Sequence, residues 1–201
     1  MRIGIIIGSQ RKNSQSAKVG HFLAKLLNTF EGVDTWMLDL GFDPLPLWDE
    51  SIGTEGEQWS MMPGLKSRLD QSDGFIFIAP EWHGMVPAAL KNFFLLWPAS
   101  GELAHKPALA CAISAGDGGS YVISELRMSG YKNNRLCWIP EHLIARRVNE
   151  ICNPEDHKNN LERHRAFEER AKYTLGLLIS YGNSLRDVRS SGIIDHEAFP
   201  N

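Results

Sequence analysis

The chain opens on an apolar run, Ile3, Ile5, Ile6 and Ile7, that stops at Gly8 and gives way to small polar residues: Ser9, Arg11, Asn13, Ser14 and Ser16. A helix-spaced pattern follows at once, with Val19, Phe22, Leu23, Leu26 and Leu27 recurring at intervals of three and four. This alternation continues along the chain. Strands are predicted at residues 2–8, 33–40, 74–79, 107–114 and 136–139, the last closed by Pro140. Helices are predicted at 16–30, 63–71, 87–97, 121–128 and 156–185. Residues 74–79 (GFIFIA) are almost continuously apolar, as expected of a strand covered on both faces. Residues 41–58 form a polar loop with Pro44 and Pro46, too long for a simple turn, and residues 183–201 read as a surface tail or a partner-facing arm.

Strands alternating with helices imply an α/β protein with a parallel sheet, helices on both faces and right-handed crossovers. Five strands fit a three-layer, doubly wound, flavodoxin-like sheet of order 2-1-3-4-5, within a single domain spanning residues 1–201. In such sheets a ligand lies outside the carboxyl ends of the strands, where the strand order reverses. Strands one, three and four are neighbours in that order, and the loops after these three strands are also the unusual ones.

The first loop has the layout of a phosphate cradle. Backbone N–H groups at a helix N-terminus point at an anion, the helix dipole favours negative charge, and Arg11 adds a charge-assisted contact. It is neither a Walker A loop nor a GxGxxG fingerprint, and its hydroxyls suit a terminal monophosphate. The plainer alternative is an ordinary turn with a serine N-cap and a solvated arginine. The second loop, Pro80-Glu81-Trp82-His83-Gly84-Met85-Val86-Pro87, reads as a rigid wall of backbone amides suited to the polar edge of a flat heterocycle. Alternatively, Trp82 packs under the sheet edge and His83 caps a carbonyl. The third, Ser114-Ala115-Gly116-Asp117-Gly118-Gly119, lets the backbone approach a ligand closely, or is simply a flexible turn.

Size and charge narrow the field. A chain of 201 residues, 43% hydrophobic and 22% charged, can bury a substantial core. A formal charge of −3 argues against a nucleic-acid partner, and Arg146-Arg147 is only a basic pair. No apolar stretch reaches membrane-span length and no secretory leader is expected, while three cysteines (Cys111, Cys137, Cys152) suit reduced thiols in a cytoplasmic protein. No Gly-x-Ser-x-Gly elbow supports a serine hydrolase, and His157 and His164 read as a solvated pair on one helix face. Trp36, Trp48, Trp59, Trp97 and Trp138 are expected in the core or an interface, and Trp48 and Trp59 could instead shield a pocket from a partner.

Taken together, GSQRKNS after strand one, PEWHGMVPAALKN after strand three and SAGDGG after strand four resemble the NADPH-dependent FMN reductase family. The resemblance covers about two-thirds of the chain. It implies bound FMN, dimers or tetramers, and hydride transfer from NADPH or NADH to flavin, quinone or another small acceptor. By that likeness Ser9, Arg11, Ser14 and Ser16 hold the FMN phosphate. Pro80, Glu81, Trp82 and His83 line the isoalloxazine, and Ser114, Gly116, Asp117 and Gly118 shape its other edge. The flavin carries the redox chemistry, so no catalytic side chain is expected, with His83 and Asp117 as candidate tuning groups. The chain departs from the family at Trp82-His83, where Tyr-Asn is usual, and at Leu96, where an acidic residue is usual. Two other readings stay open: an FMN-binding electron carrier or redox sensor without NAD(P)H turnover, and a phosphate-ligand binding protein that has lost flavin.

Overall fold

The computed structural model describes residues 1–54, 56–97 and 101–195. Its five strands are β1 (Arg2–Ile7), β2 (Asp34–Asp39), β3 (Gly74–Pro80), β4 (Pro107–Ile113) and β5 (Cys137–Ala145). Its helices are α1 (Gln15–Leu27), α2 (Met62–Asp70), α3 (Ala88–Leu95), α4 (Ser120–Met128) and α5 (Leu161–Ser190). The strands form one sheet in the order β2-β1-β3-β4-β5, and every pairing is parallel. This is the expected doubly wound, flavodoxin-like arrangement.

Successive strand residues point to opposite faces, so Ile5 and Ile6 enter different layers. Ile3, Ile5 and Ile76 pack with Leu23 of α1 and Leu175 and Leu178 of α5. Ile6, Phe75 and Phe77 pack with Leu69 of α2, Phe93 of α3 and Val122 of α4. Phe77 anchors that second layer, with Phe94 at 4.9 Å, Trp138 at 5.5 Å and Phe93 at 5.8 Å between ring centroids. Of the other tryptophans, Trp36, Trp59 and Trp97 are buried and Trp48 is exposed.

The last third departs from the sequence reading in three places. β5 does not stop at Pro140 but runs through it to Ala145. Proline lacks an N–H, which an outermost strand tolerates on its open side, and β5 is outermost. Arg127 of α4 covers this stretch, its Nη2 donating to the carbonyls of Ile139 (3.1 Å), Pro140 and Glu141 (3.5 Å). The expected tail also begins too early. Residues 183–190 belong to α5, and Arg186 and Arg189 pair with Asp73, with Arg186 at 2.9 Å and Arg189 at 3.5 Å. Residues 196–201 of that expected tail lie outside the described residues. Finally, His157 sits in a short turn before α5, whereas His164 lies on the helix, faces Phe22 at 5.3 Å and accepts the Cys152 N–H through Nδ1 at 3.2 Å. They are not a surface pair.

Lys106 is a buried amine that ties the sheet's amino-terminal end to α2. Its Nζ donates to the carbonyls of Leu69 (2.7 Å), Asp70 (3.0 Å) and Glu102 (2.9 Å), closing the end of α2. Burial, reinforced by the Arg189 charge, pushes its pKa from 10.5 down to about 8. Between those values the unfolded chain binds this proton more tightly than the folded one. The contribution of Lys106 to stability therefore rises with pH through that window. In urea unfolding, the midpoint of the parent is expected to gain on that of Lys106→Met as pH rises from about 8 to about 10.

Candidate functional site

The carboxyl ends of β1, β3 and β4 carry three loops, each locked by a different device. After β1, Ser9 is buried and its Oγ accepts the Arg11 N–H at 3.2 Å. Asn13 takes a left-handed conformation (φ +56°), a geometry that asparagine tolerates better than most residues. Ser14 then caps α1, its Oγ accepting the Ala17 N–H at 3.0 Å. The first turn of α1 holds no acidic residue, so its positive end is not neutralised from within. Ser16 is 1% exposed, and its Oγ has no hydrogen-bond partner among the described residues. Arg11 is exposed, pairs with no carboxylate among the described residues, and lies 5.6 Å over the Trp82 ring. A buried orphan hydroxyl beside open helix amides and an unpaired guanidinium is a set of donors fitted to an oxyanion.

After β3 the chain makes a hairpin. Trp82 and Met85 exchange backbone hydrogen bonds (3.2 and 2.9 Å), while His83 (φ +51°) and Gly84 (φ +76°) are both left-handed. Positive φ at both central positions defines a type I′ turn. The expected wall of amides is thus partly spent on itself: the Trp82 and Met85 amides pair within the hairpin, and the exposed His83 stands at its tip. The exit is fixed by Glu125 of α4, which accepts the Val86 N–H at 2.7 Å and pairs with Lys91 of α3 at 2.5 Å. Burial acts to raise the Glu125 carboxyl; the bonds from Lys91 and Val86 outweigh it and leave the group below its usual range.

After β4 the glycine-rich loop is fastened from both sides. Glu81, at the start of the hairpin, accepts the Gly119 N–H through Oε2. A methyl group at Gly118 would come within 2.7 Å of Glu81 Oε1, and Gly119 itself is left-handed at φ +105°. Just past β5, Arg147 grips the Asp117 carboxylate through two bonds (3.0 and 2.9 Å) and donates its N–H to Gly116 O at 2.9 Å. These hydrogen bonds, then the Arg147 charge, hold the Asp117 carboxyl below its usual range. Arg146 Nε donates to the carbonyls of Asp117 (2.8 Å) and Gly118 (3.1 Å). Ser114 turns its Oγ back to accept the Gly116 N–H at 3.3 Å.

The structure therefore brings the sequence-derived residues to one edge and links them in pairs. Arg11 meets Trp82, Glu81 meets Gly118 and Gly119, and Pro80 pairs with Ile113 within the sheet. Glu81 and Asp117 point their carboxylates at loop partners, which makes them fasteners. Sequence reasoning missed Arg146 and Arg147, whose signal was their place just after the strand beside β4. It also missed Asn92, whose buried amide donates to Pro46 O (2.8 Å) and accepts the Trp48 N–H (2.8 Å). That clasp fixes the long loop with Leu47 and Trp48 exposed. A Glu81→Ala change frees the Gly119 amide. Its hydrogen exchange is expected to accelerate by more than about tenfold relative to sheet amides, measured by two-dimensional NMR.

Comparisons with known proteins bear on the family and the fold. A quinone reductase of Pseudomonas putida is 30% identical over 92 residues, a match that takes in 45% of this chain and 46% of that protein. The chain thus spans about half the length of the curated relatives it matches. The solved structure of FerB, a flavoenzyme NAD(P)H:(acceptor) oxidoreductase from Paracoccus denitrificans, superposes with a TM-score of 0.65 at 21% identity, covering 92% of this chain and 97% of that one. An oxidoreductase from Corynebacterium diphtheriae gives a TM-score of 0.69 at 15% identity, covering 91% of this chain and 97% of that one. Both likenesses are of fold. The family model described as NADPH-dependent FMN reductase matches residues 1–149, and by that match the chain belongs to the NADPH-dependent FMN reductase family.

Proposed function

We infer that the protein is an FMN-dependent oxidoreductase that takes hydride from NADPH or NADH and passes it to a flavin, a quinone or a similar small acceptor. The observation that carries this reading is the donor set after β1: the orphan Ser16 hydroxyl, the open end of α1 and the unpaired Arg11. Ser9, Ser14 and Ser16 would hold the phosphate of FMN with Arg11, whose stacking on Trp82 keeps the guanidinium at the rim. Pro80, Glu81, Trp82 and His83 would line one edge of the ring, and Ser114, Gly116, Asp117 and Gly118 the other. Bound flavin supplies the hydride-accepting and hydride-donating chemistry. The chain's own work is to orient that ring and keep its surroundings rigid. The Glu81–Gly119 bond and the Arg147–Asp117 pair do this by removing freedom from the loops before any ligand arrives. No side chain is assigned a proton transfer.

The curated relatives named for quinone reduction, including a 2-hydroxy-1,4-benzoquinone reductase of a Burkholderia species, support a quinone-type acceptor. Among the described residues no helix is long and apolar enough to cross a membrane, which suits small acceptors met in water. Self-association as a homodimer or homotetramer fits the exposed pair Leu47 and Trp48, which Asn92 holds outward in a fixed geometry. Trp48→Ala is expected to shift sedimentation toward the smaller species.

Two measurements test the cofactor and the reaction. Purified protein is expected to be yellow and to bleach when NADPH is added without oxygen. A yellow protein that fails to bleach would instead be an electron carrier. A colourless protein that takes up no FMN would overturn the reading. Arg11→Ala is expected to weaken FMN binding about ten- to a hundredfold, the effect of losing a charged hydrogen bond. Its far-UV circular dichroism should be unchanged. Unaltered affinity would remove Arg11 from the site.

A further inference from the structure

An arginine side chain has many rotamers, and an exposed one is ordinarily free to sample them in water. Arg11 is exposed and forms no ion pair among the described residues, yet two elements outside its own loop bear on it. The first is the hairpin after β3, where Arg11 Cζ lies 5.6 Å from the centroid of the Trp82 ring. The second is the turn after β2. Its Leu40 N–H donates to Ile7 O at 3.1 Å, which ties the turn to the end of β1. The Gly41 N–H donates to Asp39 Oδ1 at 2.9 Å, and the Phe42 and Asp43 N–H groups donate to Asp39 O at 3.0 and 2.8 Å. This closed turn backs directly onto Arg11. A methyl group at Gly41 would come within 2.6 Å of Arg11 O and 3.0 Å of its carbonyl carbon. Both are backbone atoms, so turning a side chain would not relieve the clash, and only glycine lets the two backbones lie this close. Because β2 and β3 flank β1 in the sheet, the two supports reach Arg11 from opposite sides.

We propose that Gly41 and Trp82 are positioning residues that hold Arg11 in place for the phosphate of the cofactor. This rests on the assignment of the FMN phosphate to the loop after β1. Neither residue is assigned a bond to phosphate. Gly41 fixes the root of the arginine by setting where its backbone lies. Trp82 fixes the far end by giving the guanidinium a ring face to rest on. A donor ordered in advance loses less freedom when the anion arrives, so more of its hydrogen-bond energy appears as affinity. A tryptophan at position 82 suits this role, since its ring attracts a cation more strongly than that of tyrosine or phenylalanine.

The phosphate's share of binding is read as the ratio of FMN affinity to riboflavin affinity, by isothermal titration of the full chain freed of bound flavin. The parent is expected to prefer FMN. Trp82→Leu should lower the ratio about two- to fivefold, the effect of losing an exposed cation–π contact, and Trp82→Phe should restore part of it. Gly41→Ala should lower it by at least about threefold, as Arg11 is pushed out of line with its acceptor. In Arg11→Ala protein the same changes should leave the ratio where it is, because the residue they position is gone. A residue that only supports the fold or the flavin ring would weaken both flavins alike and leave the ratio unmoved. If Gly41→Ala binds neither flavin, Asp39→Ala takes its place: it releases the Gly41 N–H without a clash and carries the same expectation. The proposal is overturned if the changes at Trp82 and at the turn leave the ratio unaltered, or if they lower it equally when Arg11 is absent. A parent that binds neither FMN nor riboflavin overturns the flavin reading as well. A parent whose preference for FMN is reduced by Arg11→Ala alone overturns only the roles given to Gly41 and Trp82.

Discussion

The register of β3 against both of its neighbours is the constraint on which everything at the site depends. Ile78 of β3 pairs with Ile7 of β1 on one side and with Cys111 of β4 on the other. Because β3 is buried along its whole length, a slip of one residue would turn Phe75 and Phe77 out of one layer and Ile76 and Ile78 out of the other. The three strands consequently end together, and the loops that follow them meet at one edge. The side-chain links between those loops are secondary to this. Glu81 can reach Gly119, and Arg11 can reach Trp82, only because the sheet has already placed them side by side.

Much of this was legible in the sequence, and the reasons are physical. An uninterrupted apolar run such as GFIFIA has few ways to be buried, and its continuity marks a strand covered on two faces. Ser14 before an apolar helical pattern is a capping signal that needs no tertiary context. The failures share the opposite property. Pro140 reads as a strand terminator unless the strand is known to be outermost. Residues 183–190 look like a polar tail because their anchor, Asp73, is more than a hundred positions away in the chain. The hairpin hid itself because histidine rather than asparagine or aspartate precedes Gly84 in the left-handed position.

The site was read in outline but not in its supports. The polar and glycine residues that face outward from the three loops could be named, since chain geometry near strand ends demands small or polar types there. The groups that hold the loops still (Arg146, Arg147, Glu125, Asn92) lie outside the three loops, and nothing near them in the chain shows which segment each one meets. Glu81 and Asp117 illustrate the difference. Both lie in the expected segments, yet each spends its carboxylate on a neighbouring loop, so their charge contributes to stiffness at the rim.

The covering of β5 by Arg127 has a consequence for how copies of this chain can meet. The last strand of an open sheet is normally an invitation to a further strand from another molecule. Here the carbonyls of Ile139, Pro140 and Glu141 already accept from one guanidinium, and Pro140 has no N–H to offer. Along that stretch the sheet cannot be extended across a molecular boundary. An assembly that meets at this stretch must be built through helices and loops, which guards this edge of the sheet against edge-to-edge aggregation and leaves β2 as the outermost strand on the other side.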